Sequence, residues 1–408
     1  MPTVVLIGTL DTKGHEYAFL RDRVREHGVD VLVVDVGIVA PPPFAPDVTR
    51  EEVARAAGAD VAALAAAGDR GAAVEAMARG AAAIARALHA EGRLDGVVAL
   101  GGSGGSAIAT EAMRALPIGV PKLMVSTVAS GDTRPYVGAV DVTMTYSVVD
   151  IAGINQVSAR IIANAAGAIA GMAKATVPPL GEARPLVAAS MFGVTTPCVT
   201  RARERLEELG YEVLVFHATG TGGQSMEALI RDGFVTASLD VTTTELADEL
   251  VGGVLSAGPE RLDAAGAVGI PQVVSLGALD MVNFGPRETV PERFAGRNLY
   301  VHNPTVTLMR TTPEECAELG RRIARKLNAA TGPTALFVPL GGVSMIDVEG
   351  MPFHDPEADE ALFAALRETL DPRVEAHWLD LDVNDERFAL ALADRLHELR
   401  TAWEEARR

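Results

Sequence analysis

Two cysteines in 408 residues, Cys198 and Cys316, lie far apart and outside any CxxC pair. They offer no basis for a disulfide framework or a cysteine zinc site, and a reducing, cytoplasmic compartment is expected. Aromatic residues are scarce at 4%, whereas apolar residues reach 48% with Ala, Val and Gly dominant. That balance suits short buried strands under Ala-rich helices and argues against an all-β or disordered chain. Positive charge is in deficit, 36 Lys and Arg against 54 Asp and Glu, for a net charge of −18. Such a chain repels a nucleic-acid backbone, so any bound anion must be small and held locally; the remaining charge reads as a solvated surface. No uncharged apolar run reaches the length of a membrane span, and MPTVVLIG shows neither the basic region nor the cleavage site of a leader. A soluble protein with no nucleic-acid or membrane partner is therefore expected.

The length exceeds what one hydrophobic core supports, which predicts two domains. Apolar runs predict strands at 3–8, 30–36, 95–100 and 120–126, separated by segments of helical spacing. Glycines at 58, 68, 71 and 80 divide the Ala-rich stretch from Glu51 to Ala90 into two or more helices. A long helix is predicted over Val149 to Lys174, and the Pro-containing TVPPLGEARP after it marks a boundary, giving domains 1–178 and 179–408. Strands resume at 185–190, 212–216, 272–276, 334–338 and 374–379. The fold class is α/β, two doubly wound, Rossmann-like domains with mainly parallel sheets. The weakly charged stretches Ile151 to Ala175 and Val53 to Ala90 either pair with a second copy in a homodimer or cover their own sheet.

Anion chemistry concentrates where strands meet helices, because the first amides of a helix are unsatisfied and the helix dipole favours negative charge. VVALGGSGGSAIATEAM sets Gly101, Gly102, Gly104 and Gly105 around Ser103 before Ser106 opens a helix, so backbone amides can approach a phosphate closely. GTLDTKGHE follows the first strand, and its Thr9, Thr12 and Lys13 can serve a phosphate; alternatively Asp11 or Thr12 merely caps a helix. The spacing is neither GxxxxGK[ST] nor GxGxxG. Asp35, ending the second strand, stands where an acidic side chain meets ribose hydroxyls in mononucleotide folds. STVASGDTRPYVGAVDV crowds Thr127, Asp132 and Thr133 into one loop, and Asp132 with Asp141 can position Mg²⁺ through water, or the loop is a plain turn.

The second half carries another strand-to-helix glycine turn, HATGTGGQS, so both halves share this device by distant duplication or by common architecture. His217, Glu245, Asp280, His302 and Asn303 are candidates for acid/base chemistry on a small carboxylated metabolite between the domains. PLGGVSMID and PFHDPEAD add Ser344, Asp347, His354, Asp355 and Asp359. No HxxxH, HExxH or GxSxG spacing pairs any of these.

GTLDTKGHE, VVALGGSGGS, HATGTGGQSMEALI, DVTTTELADEL and VHNPTVTLMRTTPEE, taken in order, resemble the ATP-binding region of the plant tobamovirus-resistance protein and its bacterial relatives, an uncharacterised protein family. The resemblance runs over nearly the whole chain. It implies two α/β subdomains, ATP with Mg²⁺ on the first, and dimerisation. Carried over, the nucleotide contacts would be Leu10, Asp11 and Thr12, the Gly101 to Ser106 loop, and Thr127 with its neighbours. The plant protein continues into a further barrel-like domain, whose counterpart would act on this chain in trans; inhibition of a viral replicase is not implied.

Overall fold

A computed structural model describes residues 1–178 and 184–407, in two compact units, Met1–Pro179 and Leu180–Arg408. In the first unit the order is β1 (Thr3–Gly8), α1 (Leu10–Glu26), β2 (Asp30–Asp35), α2 (Arg50–Ala56), α3 (Val61–Ala67), α4 (Arg70–Ala90), β3 (Gly96–Gly101), α5 (Ser103–Arg114), β4 (Lys122–Ser126), α6 (Arg134–Val137), β5 (Thr143–Tyr146) and α7 (Gln156–Lys174). The strands pair in parallel in the order β2-β1-β3-β4-β5. Residues of alternate parity point to opposite faces: Val5, Ile7, Val97 and Ala99 pack under α2, α4 and α5, while Val4, Leu6, Val98 and Leu100 pack under α1 and α7. Burial on both faces explains why these strands read as unbroken apolar runs.

The Ala-rich stretch resolves into α2, α3 and α4, each started by a side chain that accepts a helix amide: Thr49, Asp60 and Asp69. Gly80 lets α4 pass close to α2, since a Cβ there would stand 2.1 Å from the carbonyl oxygen of Val53. The helix expected from Val149 begins only at Gln156, because the Asn155 side chain accepts from Val157 and Ser158 and fixes the start there. The residues before it are irregular, with Val148 at φ 62°. The buried faces of α4 and α7 lie in the cores of their own sheet.

The second unit runs β6 (Leu186–Met191), α8 (Thr196–Glu208), β7 (Glu212–His217), α9 (Thr221–Arg231), β8 (Ala237–Thr242), α10 (Glu245–Val251), α11 (Ala264–Val268), β9 (Gln272–Gly277), β10 (Met281–Phe284), β11 (Leu299–Asn303), β12 (Val306–Arg310), α12 (Pro313–Asn328), β13 (Thr334–Pro339), α13 (Pro356–Thr369), β14 (Glu375–Leu379) and α14 (Glu386–Glu405). Its main sheet is parallel, ordered β14-β13-β9-β8-β6-β7, and β10-β12-β11 form a small antiparallel sheet. Both units are thus doubly wound and Rossmann-like. The strands β5, β8 and β10 to β12 were not anticipated from the apolar pattern. Cys198 and Cys316 are free and buried, and burial raises both thiols, to about 12 and about 11. Among the described residues no helix is long and apolar enough to cross a membrane.

Candidate functional site

In the first unit, chain connections leave β1 and β3 in opposite directions, and a crevice forms at such a switch point beyond the carboxyl ends of the strands. A cavity of about 770 Å³ lies there, lined from the turns after β1, β2 and β3 and from α3 and α4. The ladder between β1 and β3 runs only from Val4–Gly96 to Leu6–Val98. Beyond it the buried hydroxyl of Tyr17 takes over, accepting from the Leu100 amide at 2.8 Å and lying 2.6 Å from the Ile7 carbonyl. Gly8 makes room for that ring, because a Cβ there would meet Tyr17 at 1.9 Å.

The glycine turn divides by role. Gly101 is structural, since a Cβ would come within 3.0 Å of the Gly105 backbone. Ser106 is buried and shares a hydrogen bond with Ser126 at 2.6 Å, so it faces the core. Gly102, Ser103, Gly104 and Gly105 line the cavity. Gly102 precedes α5 without a side-chain cap, and the amides of Ser103, Gly104 and Gly105 have no acceptor among the described residues.

The turn after β1 behaves differently from a phosphate cradle. Thr9, and neither Asp11 nor Thr12, precedes the first turn of α1. The Leu10 amide donates to Asp35, the Thr12 and Lys13 amides donate to the Thr9 carbonyl, and the Lys13 ammonium donates to the Ile151 carbonyl. This turn brings Thr9, Asp11, Thr12 and Lys13 to the cavity, joined by Asp150 from the segment before α7. Asp11 Oδ2 accepts from Val39 at 2.8 Å, and its buried Oδ1 has no hydrogen-bond partner among the described residues. Asp35 is fully buried and does not line the cavity; its Oδ1 accepts from Leu10 and Gly37. Burial raises its pKa against the pull of those two amides. Through Oδ1 it holds β2 against the start of α1, while its buried Oδ2, like Asp11 Oδ1, has no hydrogen-bond partner among the described residues.

Thr127, Asp132 and Thr133 do not line the cavity either. The Thr127 amide donates to the Gly101 carbonyl at 3.2 Å, keeping β4 in register beside the glycine turn. Asp132 is held by the exposed Arg134 side chain, which lowers its pKa to about 2. Asp141 pairs with Lys122 at the opposite, amino-terminal end of β4, so the structure does not bring Asp132 and Asp141 together. Among the described residues no group of three or more His, Cys, Asp or Glu side chains is placed to hold a metal ion.

In the second unit the glycine turn after β7 already holds an anion, and that anion is internal. Glu245 accepts from Gly220 at 2.7 Å and Gly223 at 3.0 Å through one oxygen and from Arg261 at 2.6 Å through the other. A Cβ on Gly223 would lie 2.2 Å from the carboxylate. Arg261, buried, also grips Asp240 with both arms and lies 3.3 Å from Glu227. Asp280 belongs to a separate buried group: it accepts from Ser344 at 2.7 Å, while Arg310 pairs with Asp347 and Asp359. Burial raises Asp280, Asp347 and Asp359, with Arg310 opposing. His217 and His302 are exposed, and Asn303 closes a turn on Thr305. No hydrogen bond or ion pair among the described residues joins His217, Glu245, Asp280 and His302 to one another.

The whole length of these elements is shared with other proteins. Residues 2–178 match the N-terminal domain, and residues 184–400 the C-terminal domain, of the uncharacterised protein family UPF0261. The chain belongs to UPF0261. A UPF0261 protein of Clostridium tetani is 55% identical over 394 residues, covering 96% of this chain and 98% of that protein. One from Rhizobium meliloti is 48% identical over 393 residues, covering 96% and 97%. The tomato (Solanum lycopersicum) ToMV resistance protein Tm-1(GCR237) is 42% identical over 428 residues, covering 98% of this chain and 56% of the tomato protein. Within this UPF0261 chain, sequence reasoning missed Tyr17, Arg70, Asp150 and the apolar wall of Leu64, Val74, Met77 and Ile108. Asp69, next to Arg70, had a visible signal as a cap before an Ala-rich helix; the rest had none.

Proposed function

We propose that the first unit binds a phosphorylated nucleotide, ATP with Mg²⁺, in the cavity between the ends of β1 and β3. The observation that carries this reading is the run of three unsatisfied amides, Ser103 to Gly105, opening a helix on the wall of a cavity at the switch point. The amides would hold phosphate oxygens. Asp11, which lines the cavity where Asp35 does not, takes the acidic role that position alone suggested for Asp35, its carboxylate able to accept from a ribose hydroxyl or a magnesium-bound water. Asp150 is the second carboxylate on that side. Leu64, Val74, Met77 and Ile108 provide the apolar surface an aromatic base needs. A mononucleotide is far smaller than a nucleic-acid strand, which agrees with a net charge of −18. We place the protein in the cytoplasm, where two free buried thiols remain reduced.

Calorimetry and thermal unfolding with ATP, ADP and Mg²⁺ test the reading. Binding raises the melting temperature in proportion to ligand occupancy. No heat and no shift at millimolar ligand would refute it.

A further inference from the structure

We infer that Arg70 is the residue that selects a phosphorylated ligand, by placing its guanidinium on the phosphate held at the start of α5. The inference rests on the reading of the cavity as a nucleotide site, and adds to it the group that discriminates a phosphate ester from an uncharged nucleoside.

Two cationic side chains line the cavity, Lys13 and Arg70. Lys13 is already engaged by the Ile151 carbonyl. Arg70 makes no ion pair or hydrogen bond among the described residues. Its Nη2 lies 3.6 Å from the position a Gly104 Cβ would occupy, with Val74 Cγ2 at 3.9 Å. Those two side chains therefore bound the space that Gly104 leaves open, one polar and one apolar.

Arg70 is the first residue of α4, fixed in place by the Asp69 carboxylate, which accepts from Ala72 at 3.0 Å. Ala73, Val74 and Met77 follow on the same helix face and line the same cavity. One helix thus presents a cation at the phosphate end and an apolar strip beyond it, matching an anionic head on an aromatic body.

A second cation is needed because Lys13 is outnumbered by the carboxylates lining the cavity. Asp11, Asp69 and Asp150 all line it, whereas a helix start contributes only about half a positive charge. A guanidinium supplies a full charge and two parallel N–H donors that fit phosphate oxygens.

The test is calorimetric titration of wild type, Arg70→Ala and Arg70→Lys with Mg²⁺-ATP and with adenosine. Arg70 is exposed and unbonded, so the variants should melt with the wild type. The expected result is roughly a tenfold or greater loss of ATP affinity in Arg70→Ala, unchanged adenosine affinity, partial recovery in Arg70→Lys and a shallower salt dependence. Equal ATP affinity in wild type and Arg70→Ala would overturn the role of Arg70 and leave the site standing. Equal losses for ATP and adenosine would also overturn it, reducing Arg70 to a packing residue. Failure of the wild type to bind either probe would refute the site itself, and this inference with it.

Discussion

The Tyr17 hydroxyl accepts from the Leu100 amide at 2.8 Å, so one phenol fills the gap where β1 and β3 part. Tyr17→Phe leaves that buried amide and the Ile7 carbonyl without a partner. Each unsatisfied buried group costs about 1–3 kcal/mol, and the first unit should lose stability on that scale in denaturant unfolding. Gly8→Ala should be worse than a surface Gly→Ala change, because its Cβ meets the same ring.

Gly101 and Gly104 should separate in their effects. Gly101→Ala forces a Cβ to 3.0 Å from the Gly105 backbone and should lower the melting temperature. Gly104→Ala meets no backbone within 4 Å and should be neutral or stabilise by up to about 1 kcal/mol, as helical Gly→Ala changes do. Gly104→Leu should keep the fold and lose ATP affinity, read by calorimetry on the folded variant.

The two acidic residues near the cavity should separate as well. Asp35→Ala strands the Leu10 and Gly37 amides and should destabilise the unit by about 1–3 kcal/mol. Asp11→Asn should leave the melting temperature nearly unchanged and weaken Mg²⁺-ATP, while leaving adenosine affinity less affected. The opposite assignment would appear as an ATP-specific loss in Asp35→Asn alone.

These pairs show what could be read from sequence. The glycine turn was legible as a strand-to-helix turn, yet its internal division into Gly101 for packing and Gly104 for open space depends on where Gly105, Arg70 and Val74 stand. Asp35 could not be told from Asp11 by position alone, because a strand-end carboxylate looks alike whether it faces a ligand or its own helix amides. β8 escaped notice because Asp240 and Thr242 interrupt its apolar run; Arg261 and Ser190 satisfy the buried Asp240, and Thr195 and Ser190 the buried Thr242. The onset of α7 was misplaced because Val149 to Ile154 is as apolar as the helix after it, and the Asn155 cap decides the boundary.

Stability of the second unit should depend on pH through its buried carboxyls. Burial raises Asp248 from 3.8 to about 7, above the opposing effect of the Asn283 and Leu255 donors. The folded state therefore binds this proton more tightly than the unfolded state. Its stabilising contribution is complete below pH 3.8 and is lost as pH rises through about 7. Asp280, Asp347 and Glu245 are shifted in the same direction by burial. Denaturant midpoints followed across this range should fall with rising pH, and Asp248→Asn should flatten the slope.

Removing the internal anion should be more costly than neutralising one surface pair. Glu245→Ala frees the Gly220 and Gly223 amides and one face of Arg261. The expected loss is about 3–5 kcal/mol, as for a broken buried ion pair. It should appear in unfolding of the second unit while ATP affinity is retained.

The strand order of the first unit also sets a timetable for its synthesis. Val4 pairs on one side with Val31 and on the other with Gly96. A ribosome adding about 5–20 residues per second finishes β2 early but takes about 3–13 s more to deliver β3. During that interval one edge of β1, apolar on both faces, has no neighbouring strand, and α2 to α4 emerge before the strand they help to cover. Such late, distant pairings slow folding and lengthen exposure to other nascent chains. Expression at lower temperature or with additional chaperone should therefore raise the yield of folded protein more than any single stabilising substitution in a helix.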